Sequence, residues 1–155
     1  LSSPLWGLAL RVPAWKRETA YSLVGVWPSL TLRRPAMGPG SLSHDPQVEA
    51  AYAADRLVHF QSSLKLYVDA RRQMAQLPQR LPQLCIPTLV LAAGDDRIAS
   101  AQATQSWYPL IGAERKQLIM YPGYSHEILH EVGKDAVFKD LFEWLKDFRE
   151  PVMAR

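Results

Sequence analysis

The sequence predicts an α/β fold with a parallel sheet in the second half of the chain. Two short apolar runs carry this prediction: residues 88–93, which end at Gly94, and residues 116–121, which end at Pro122 and Gly123. Helical patterns follow both runs, and this alternation is typical of a parallel sheet with helices on its faces. Because two strands do not complete such a sheet, we predict that the sheet is incomplete in this chain.

The first half of the chain shows a different pattern. Residues 1–4 are predicted to be the end of a core strand, and residues 5–84 contain no convincing strand pattern. We therefore expect residues 5–84 to form an all-helical insert over the sheet, which we call the cap. Its helices are predicted at residues 14–27, 46–54 and 62–76. Asp45 is placed as the N-cap of the second helix, and Glu49 occupies the capping-box position.

Residues 85–155 are predicted to form a β-α-β-α part of the core. One helix should begin after Ser100 and reach about Tyr108, and another should span residues 134–148. The buried stripe of the last helix is expected to comprise Val137, Phe138, Leu141, Phe142, Trp144 and Leu145. Cys85 precedes the first strand and is interpreted as a small buried hydrophobe.

The composition excludes several classes of protein. The 155 residues are 48% hydrophobic and 21% charged, which indicates a folded chain of one-domain size rather than a disordered one. The net charge of +3 comes from scattered lysines and arginines, so nucleic-acid binding has little support. A single cysteine rules out an internal disulfide, and no apolar run is long enough to predict a transmembrane helix. We expect a cytoplasmic protein or one bound at a membrane surface.

The polar loops after the two predicted strands carry the residues with most chemical interest. Asp96 follows the first strand and His126 follows the second. Because parallel strands end at the same edge of a sheet, these loops are expected to be neighbours. An aspartate and a histidine in this arrangement are two members of a Ser-His-Asp triad.

The sequence around these residues resembles a known family. The matching segments are P-T-L-V-L-A-A-G-D-D-R-I-A and Y-P-G-Y-S-H-E-I-L-H-E, together with the initial L-S-S-P and the segment S-H-D-P-Q-V-E-A-A-Y-A-A-D-R-L-V-H. They are similar to the C-terminal half of α/β-hydrolases in the branch of lysophospholipases, monoacylglycerol lipases and serine aminopeptidase-like hydrolases. The resemblance implies that Asp96 is the catalytic acid and His126 the catalytic base. Asp95 is the adjacent rival, but the following Arg97-Ile98 favours Asp96.

The nucleophile of such a triad is missing from the sequence. No G-x-S-x-G elbow occurs, and Gly38-Pro39-Gly40-Ser41 is rejected because no strand precedes it. The chain order of this fold is serine, acid, histidine, so the serine is expected before Leu1, in a missing segment or a separate chain that carries the N-terminal half. The oxyanion hole would lie with it, and this chain alone is predicted to be inactive.

The resemblance therefore implies a serine hydrolase of carboxylic esters, of the lysophospholipid or monoacylglycerol type, that needs no cofactor. Two alternatives remain open at this point. One is a non-catalytic binding or structural module of the same fold. The other is a zinc hydrolase, because His126-Glu127-Ile128-Leu129-His130 matches the H-E-x-x-H motif that binds zinc when it lies in a helix.

Overall fold

The computed structural model describes residues 1–33 and 38–148. Five α-helices and four strands occur in these residues. Their order is α1 (Ala14–Leu23), β1 (Thr31–Arg33), α2 (Pro46–Ala54), β2 (Gln61–Ser63), α3 (Leu64–Arg80), β3 (Thr88–Ala93), α4 (Ala101–Trp107), β4 (Lys116–Tyr121) and α5 (Lys134–Lys146). Short 3₁₀-helices follow α3 and α4 and precede α5, at Leu81–Gln83, Tyr108–Leu110 and Ile128–His130.

β3 is the central strand of the parallel sheet. It pairs with β4 in a register that runs from Thr88 opposite Lys116 to Ala93 opposite Tyr121. Residues 1–3 lie parallel to its other side, and the Ser3 N–H donates to the Leu91 carbonyl at 2.8 Å. All six residues of β3 are buried, as expected for a strand covered on both faces. The two predicted core strands are thus present with the predicted bounds.

The two faces of β3 support separate apolar clusters because successive side chains of a strand point in opposite directions. Leu89, Leu91 and Ala93 pack with Ile128 and Val137, which brings α5 against one face. Val90 packs on the other face with Trp6, Leu81, Ile111 and Ala113, and a third cluster joins α1 to α3 through Ala20, Leu64 and Val68.

The cap departs from the predicted all-helical insert. β1 and β2 form a small antiparallel pair in which Thr31 lies opposite Ser63. Each strand has only three residues, and β1 is fully exposed, so neither shows the burial alternation that identifies a strand. The prediction that no strand occurs between residues 5 and 84 was wrong because this pairing depends on tertiary contact.

Several predicted helix ends were also wrong. α1 ends at Leu23 rather than Trp27, and the last residues before Pro28 form turns. α3 continues through Pro78 to Arg80, since a proline this close to a helix end removes only one backbone hydrogen bond. Asp45 caps α2 as predicted. The capping box predicted at Glu49 was wrong, because Glu49 is the fourth residue of the helix, one position past the capping-box place, and it accepts from the Leu42 N–H instead.

Two predictions of burial in the second half were wrong. Phe142 and Leu145 of α5 are 60% and 44% exposed, while Val137 is fully buried, so only part of the predicted stripe contacts the sheet. Cys85 is exposed rather than buried. The predicted domain boundaries at residues 4, 84 and 155 stay predictions, and residues 149–155 lie outside the described part. Within that part, none of the helices is both long enough and apolar enough to cross a bilayer.

Candidate active site

The loop that follows β3, residues 94–99, is held against the end of β4, and we call it the acid loop. The Gly94 N–H donates to the Tyr121 carbonyl at 2.8 Å, and the Asp95 N–H donates to the Tyr124 carbonyl at 3.1 Å. A Cβ atom at Gly94 would lie 2.9 Å from the Pro122 Cα, so only glycine allows this close approach.

Asp96 is the carboxylate that the acid loop directs toward His126. Its side chain is 2% exposed, and its Oδ2 lies 2.7 Å from His126 Nδ1. Its Oδ1 accepts from the backbone N–H groups of Ile98 and Ala99 at 2.7 and 2.8 Å. A buried carboxylate is stable only when it is hydrogen-bonded or paired, and these three contacts involve both oxygens of Asp96. Asp95, the rival in sequence, is exposed.

His126 lies in the loop after β4, residues 123–132, which we call the His loop. Gly123 begins the loop with a φ of +78°, a conformation that favours glycine. The His126 side chain is 22% exposed. The hydrogen bond to Asp96 raises the pKa of His126 above 6.5, while burial acts in the opposite direction. Because a carboxylate can only accept, Nδ1 carries the proton in this contact, and Nε2 lies on the opposite side of the ring.

Two serines lie near His126, but neither forms a nucleophile elbow. Ser125 belongs to G-Y-S-H-E, one residue short of G-x-S-x-G; its side chain is buried, and its Oγ donates to the Gly40 carbonyl at 2.6 Å. Ser41 is also buried, and its Oγ donates to the Gly38 carbonyl at 2.6 Å. Both hydroxyls are thus engaged with backbone carbonyls.

The zinc motif does not have the geometry that metal binding requires. Only Ile128–His130 is helical, as a single 3₁₀ turn, so the two histidines do not project from one α-helix. His126 Nδ1 contacts Asp96, whereas His130 is 62% exposed and contacts Glu127 at 3.3 Å. Among the described residues, no group of three or more His, Cys, Asp or Glu side chains could hold a metal ion.

Sequence reasoning missed a second polar contact at this site. Glu131, at the end of the His loop, is 3% exposed, and its Oε1 lies 2.9 Å from His44 Nδ1. Burial disfavours its charged form, but hydrogen bonds from Ser125 and His44 outweigh that effect and lower the pKa of Glu131 below 4.5. No local pattern could reveal a contact between residues 87 positions apart.

The comparisons with known proteins identify the family. Residues 1–133 match the family described as serine aminopeptidase, S33. The chain belongs to the S33 serine aminopeptidase family. The predicted membership of this branch of the α/β-hydrolases is therefore confirmed.

Relatives of this S33 chain include proteins of a social amoeba and of a bacterium. An uncharacterized abhydrolase domain-containing protein of Dictyostelium discoideum is 30% identical over 148 residues, which cover 95% of this chain and 16% of that protein. The monoacylglycerol lipase of Mycolicibacterium smegmatis is 32% identical over 109 residues, which cover 68% of this chain and 38% of that enzyme. The S33 chain thus spans well under half the length of these two relatives.

Solved structures confirm the predicted fold. The monoacylglycerol lipase of Paleococcus ferrophilus superposes with a TM-score of 0.85 at 23% identity, covering 96% of this chain and 58% of that one. A soluble variant of monoglyceride lipase from Saccharomyces cerevisiae gives a TM-score of 0.74 at 19% identity, covering 89% and 48%. The S33 chain has the α/β-hydrolase fold, of which its small parallel sheet and helices form a part.

Proposed function

We propose that this chain supplies the acid and the base of a Ser-His-Asp triad that hydrolyses carboxylic esters. The observation that carries this proposal is the 2.7 Å contact between His126 Nδ1 and the buried Oδ2 of Asp96. A solvated turn aspartate would not be held by two backbone N–H groups while it contacts an imidazole. Membership of a hydrolase family supports the same conclusion.

In this mechanism Asp96 fixes the tautomer of His126, so that Nε2 is the basic nitrogen. Nε2 accepts the serine proton as the hydroxyl oxygen attacks the ester carbonyl, and it then donates that proton to the leaving alcohol oxygen. Water then attacks the acyl-enzyme while Nε2 accepts its proton. Nε2 returns that proton to the serine oxygen, and the carboxylic acid is released. The charge of Asp96 stabilises the imidazolium in both steps, consistent with the raised pKa of His126.

We place the nucleophilic serine on a polypeptide segment N-terminal to Leu1. The printed sequence contains no G-x-S-x-G, and the chain order of the fold is serine, acid, histidine. The oxyanion-hole donors belong to the residue after the serine and to an earlier loop, so they accompany it. The 155-residue chain by itself is therefore expected to have no turnover.

The proposed substrates are monoacylglycerols or lysophospholipids. One curated relative is named a monoacylglycerol lipase. The cap also exposes large apolar side chains, with Trp15, Val26 and Leu57 at 67%, 86% and 84% exposure. An apolar cap suits a substrate that carries an acyl chain and a small polar head.

A serine-directed fluorophosphonate probe tests the proposal. The probe should leave the isolated 155-residue chain unlabelled and should label a polypeptide that carries the N-terminal half, whether separate or continuous with this chain. That assembled protein should hydrolyse a monoacylglycerol, and the His126→Ala variant should abolish both labelling and hydrolysis. Labelling of the isolated chain would contradict the assignment, and an assembled protein that neither labels nor hydrolyses would favour a non-catalytic module.

A further inference from the structure

The buried carboxylate of Glu131 contacts four N–H donors. Oε1 accepts from the Ser125 backbone N–H at 2.8 Å and lies 2.9 Å from His44 Nδ1. Oε2 accepts from the His44 backbone N–H at 3.2 Å and from the Val132 N–H at 3.1 Å. A carboxylate this buried is stable only when its oxygens are well paired, and each oxygen here has two partners.

These four donors belong to two segments of the chain. Ser125 immediately precedes His126, and Val132 ends the His loop, so the carboxylate ties the loop at both ends. His44 belongs to residues 38–45, a part of the cap that we call the bridging segment because it contacts the His loop.

Further hydrogen bonds run along the same contact between the bridging segment and the His loop. The Glu127 N–H donates to the Leu42 carbonyl at 2.8 Å. Ser43 Oγ donates to the His130 carbonyl at 2.9 Å. The backbone of the His loop is therefore held by the bridging segment as well as by the acid loop.

We propose that Glu131 is a positioning residue that holds the His126 imidazole against Asp96, and that His44 couples this function to the bridging segment. The proposal rests on the proposed function, because it concerns the base of the same triad. Glu131 acts through the Ser125 peptide and the fold of the His loop, not by contact with a substrate.

The pairing of Glu131 makes the substitution Glu131→Gln unusually informative. Glutamine has the same shape, but one of its two terminal atoms becomes an NH₂ group, which donates and cannot accept. Since each carboxylate oxygen faces two N–H donors, either orientation of the amide leaves two donors facing an NH₂ group. If the NH₂ group replaces Oε1, the hydrogen bond from the Ser125 N–H is lost. If it replaces Oε2, the hydrogen bond from the His44 backbone N–H is lost.

The experiment is NMR on the 155-residue chain labelled with ¹⁵N at its four histidines. The measured quantities are the exchange rate of the His126 Nδ1 proton with water and the pKa of that ring. In Glu131→Gln, exchange of the Nδ1 proton should rise at least about tenfold, because the bond to Asp96 opens more often. The pKa of His126 should fall toward 6.5.

Glu127→Gln is the matched control within the His loop. The Glu127 side chain is 44% exposed, contacts His130, and raises the pKa of His126 only through its charge. This variant should lower the pKa of His126 without changing the exchange rate of the Nδ1 proton. The two glutamate variants thereby separate a loss of charge from a loss of position.

A pair of His44 variants tests the positioning role if Glu131→Gln fails to fold. His44→Ala removes one donor and should raise Nδ1 exchange by a smaller factor, whereas the amide of His44→Asn can replace the Nδ1 donor and should restore the wild-type rate. Wild-type exchange in folded Glu131→Gln, or in His44→Ala, would overturn the proposal. Equal exchange in His44→Ala and His44→Asn would overturn the role of His44. None of these readouts requires turnover, so a failed serine-probe test would reject the catalytic role and leave them interpretable.

Discussion

The two strand-end loops and the first two helices of the cap, α1 and α2, differ sharply in how many of their side chains are buried. β3 is buried along its whole length. In the loops beside it, the carboxylate side chains of Asp96 and Glu131 are only 2% and 3% exposed. By contrast, α2 has no buried residue and α1 buries only Ala20. The cap also leaves large apolar side chains in solvent, such as Val26 at 86% exposure.

This difference indicates which side chains must be held in fixed positions. A triad works only when its members stay within hydrogen-bond distance, so its loops are fixed by apolar packing below and paired polar groups around them. Within the cap, the bridging segment contacts the His loop, whereas α1 and α2 have only one buried residue between them. The effects of substitutions on activity and stability should therefore be larger at the strand-end loops than in α1 and α2. Interactions within a single helix turn, such as N-caps, should have similar effects wherever they lie.

The largest effect is expected at Asp96. In the assembled hydrolase, Asp96→Asn should lower kcat by about 10⁴-fold, because an amide no longer fixes the His126 tautomer or stabilises the imidazolium. Asp95→Asn, at the exposed neighbouring position, should change kcat less than about threefold. Steady-state hydrolysis of a monoacylglycerol provides the measurement. Equal losses in the two variants would remove the distinction between the buried and the exposed aspartate.

A large effect on stability is expected at Ile128, a residue of the His loop whose side chain is fully buried in the core cluster with residues of β3 and α5. Ile128→Ala should lower the free energy of unfolding by about 2–5 kcal/mol, since it leaves a cavity among packed side chains. Val26→Ala in the cap should change it by less than about 0.5 kcal/mol. Urea unfolding of both variants checks the contrast, and a large loss for Val26→Ala would show that the cap is packed more tightly than its exposure indicates.

An intermediate effect, equal in both regions, is expected at the helix N-caps. Ser63 Oγ accepts from the Leu66 N–H at the start of α3, and Ser100 Oγ accepts from the Ala103 N–H at the start of α4. Each serine-to-alanine substitution should cost about 1 kcal/mol in urea unfolding, because capping satisfies a local donor wherever the helix lies. A cost confined to Ser100→Ala would mean that α3 adds little to the cooperative unit.

The smallest and most gradual effect is on the pH dependence of stability. The pKa of Glu131 is lowered below 4.5, so its stabilisation is present above pH 4.5 and is lost as pH falls through the lowered pKa. The pKa of His126 is raised above 6.5, so its stabilisation is complete below pH 6.5 and is lost as pH rises through the raised pKa. Unfolding free energies should therefore fall at both ends of a pH series.

Two variants test which residue causes the loss of stability at low pH, the acid limb, and which causes the loss above pH 6.5, the upper limb. Glu131→Gln should flatten the acid limb, and His126→Ala should flatten the limb above pH 6.5. An unchanged acid limb in Glu131→Gln would assign that limb to other carboxylates, and an unchanged upper limb in His126→Ala would contradict the effect of the Asp96 contact on His126.

Much of the core was predictable from the sequence because burial produces a short-range pattern. The apolar run from Thr88 to Ala93 predicted β3 with its observed bounds, and the proline and glycine stops predicted where the loops begin. The same loops directed attention to Asp96 and His126, which the structure brings to 2.7 Å. Their catalytic roles stay a prediction.

Contacts between distant segments were not predictable in this way. The β1–β2 pair, the exposure of Phe142 and the contact of His44 with the buried Glu131 carboxylate have no signature in nearby residues. A glutamate is ordinarily exposed, and the packing of the bridging segment on the His loop buries this one, while the His44 side chain stays 56% exposed.

The sequence by itself predicted the two core strands and the loops that carry Asp96 and His126, because apolar periodicity and turn residues act over a few positions. Its resemblance to a known family, not this periodicity, indicated the α/β-hydrolase branch. Only the tertiary structure decided how closely Asp96 approaches His126, and that the buried Glu131 carboxylate accepts from the Ser125 N–H of the His loop. Both outcomes depend on which side chains are removed from water together, and that is set by how separate segments of the chain pack.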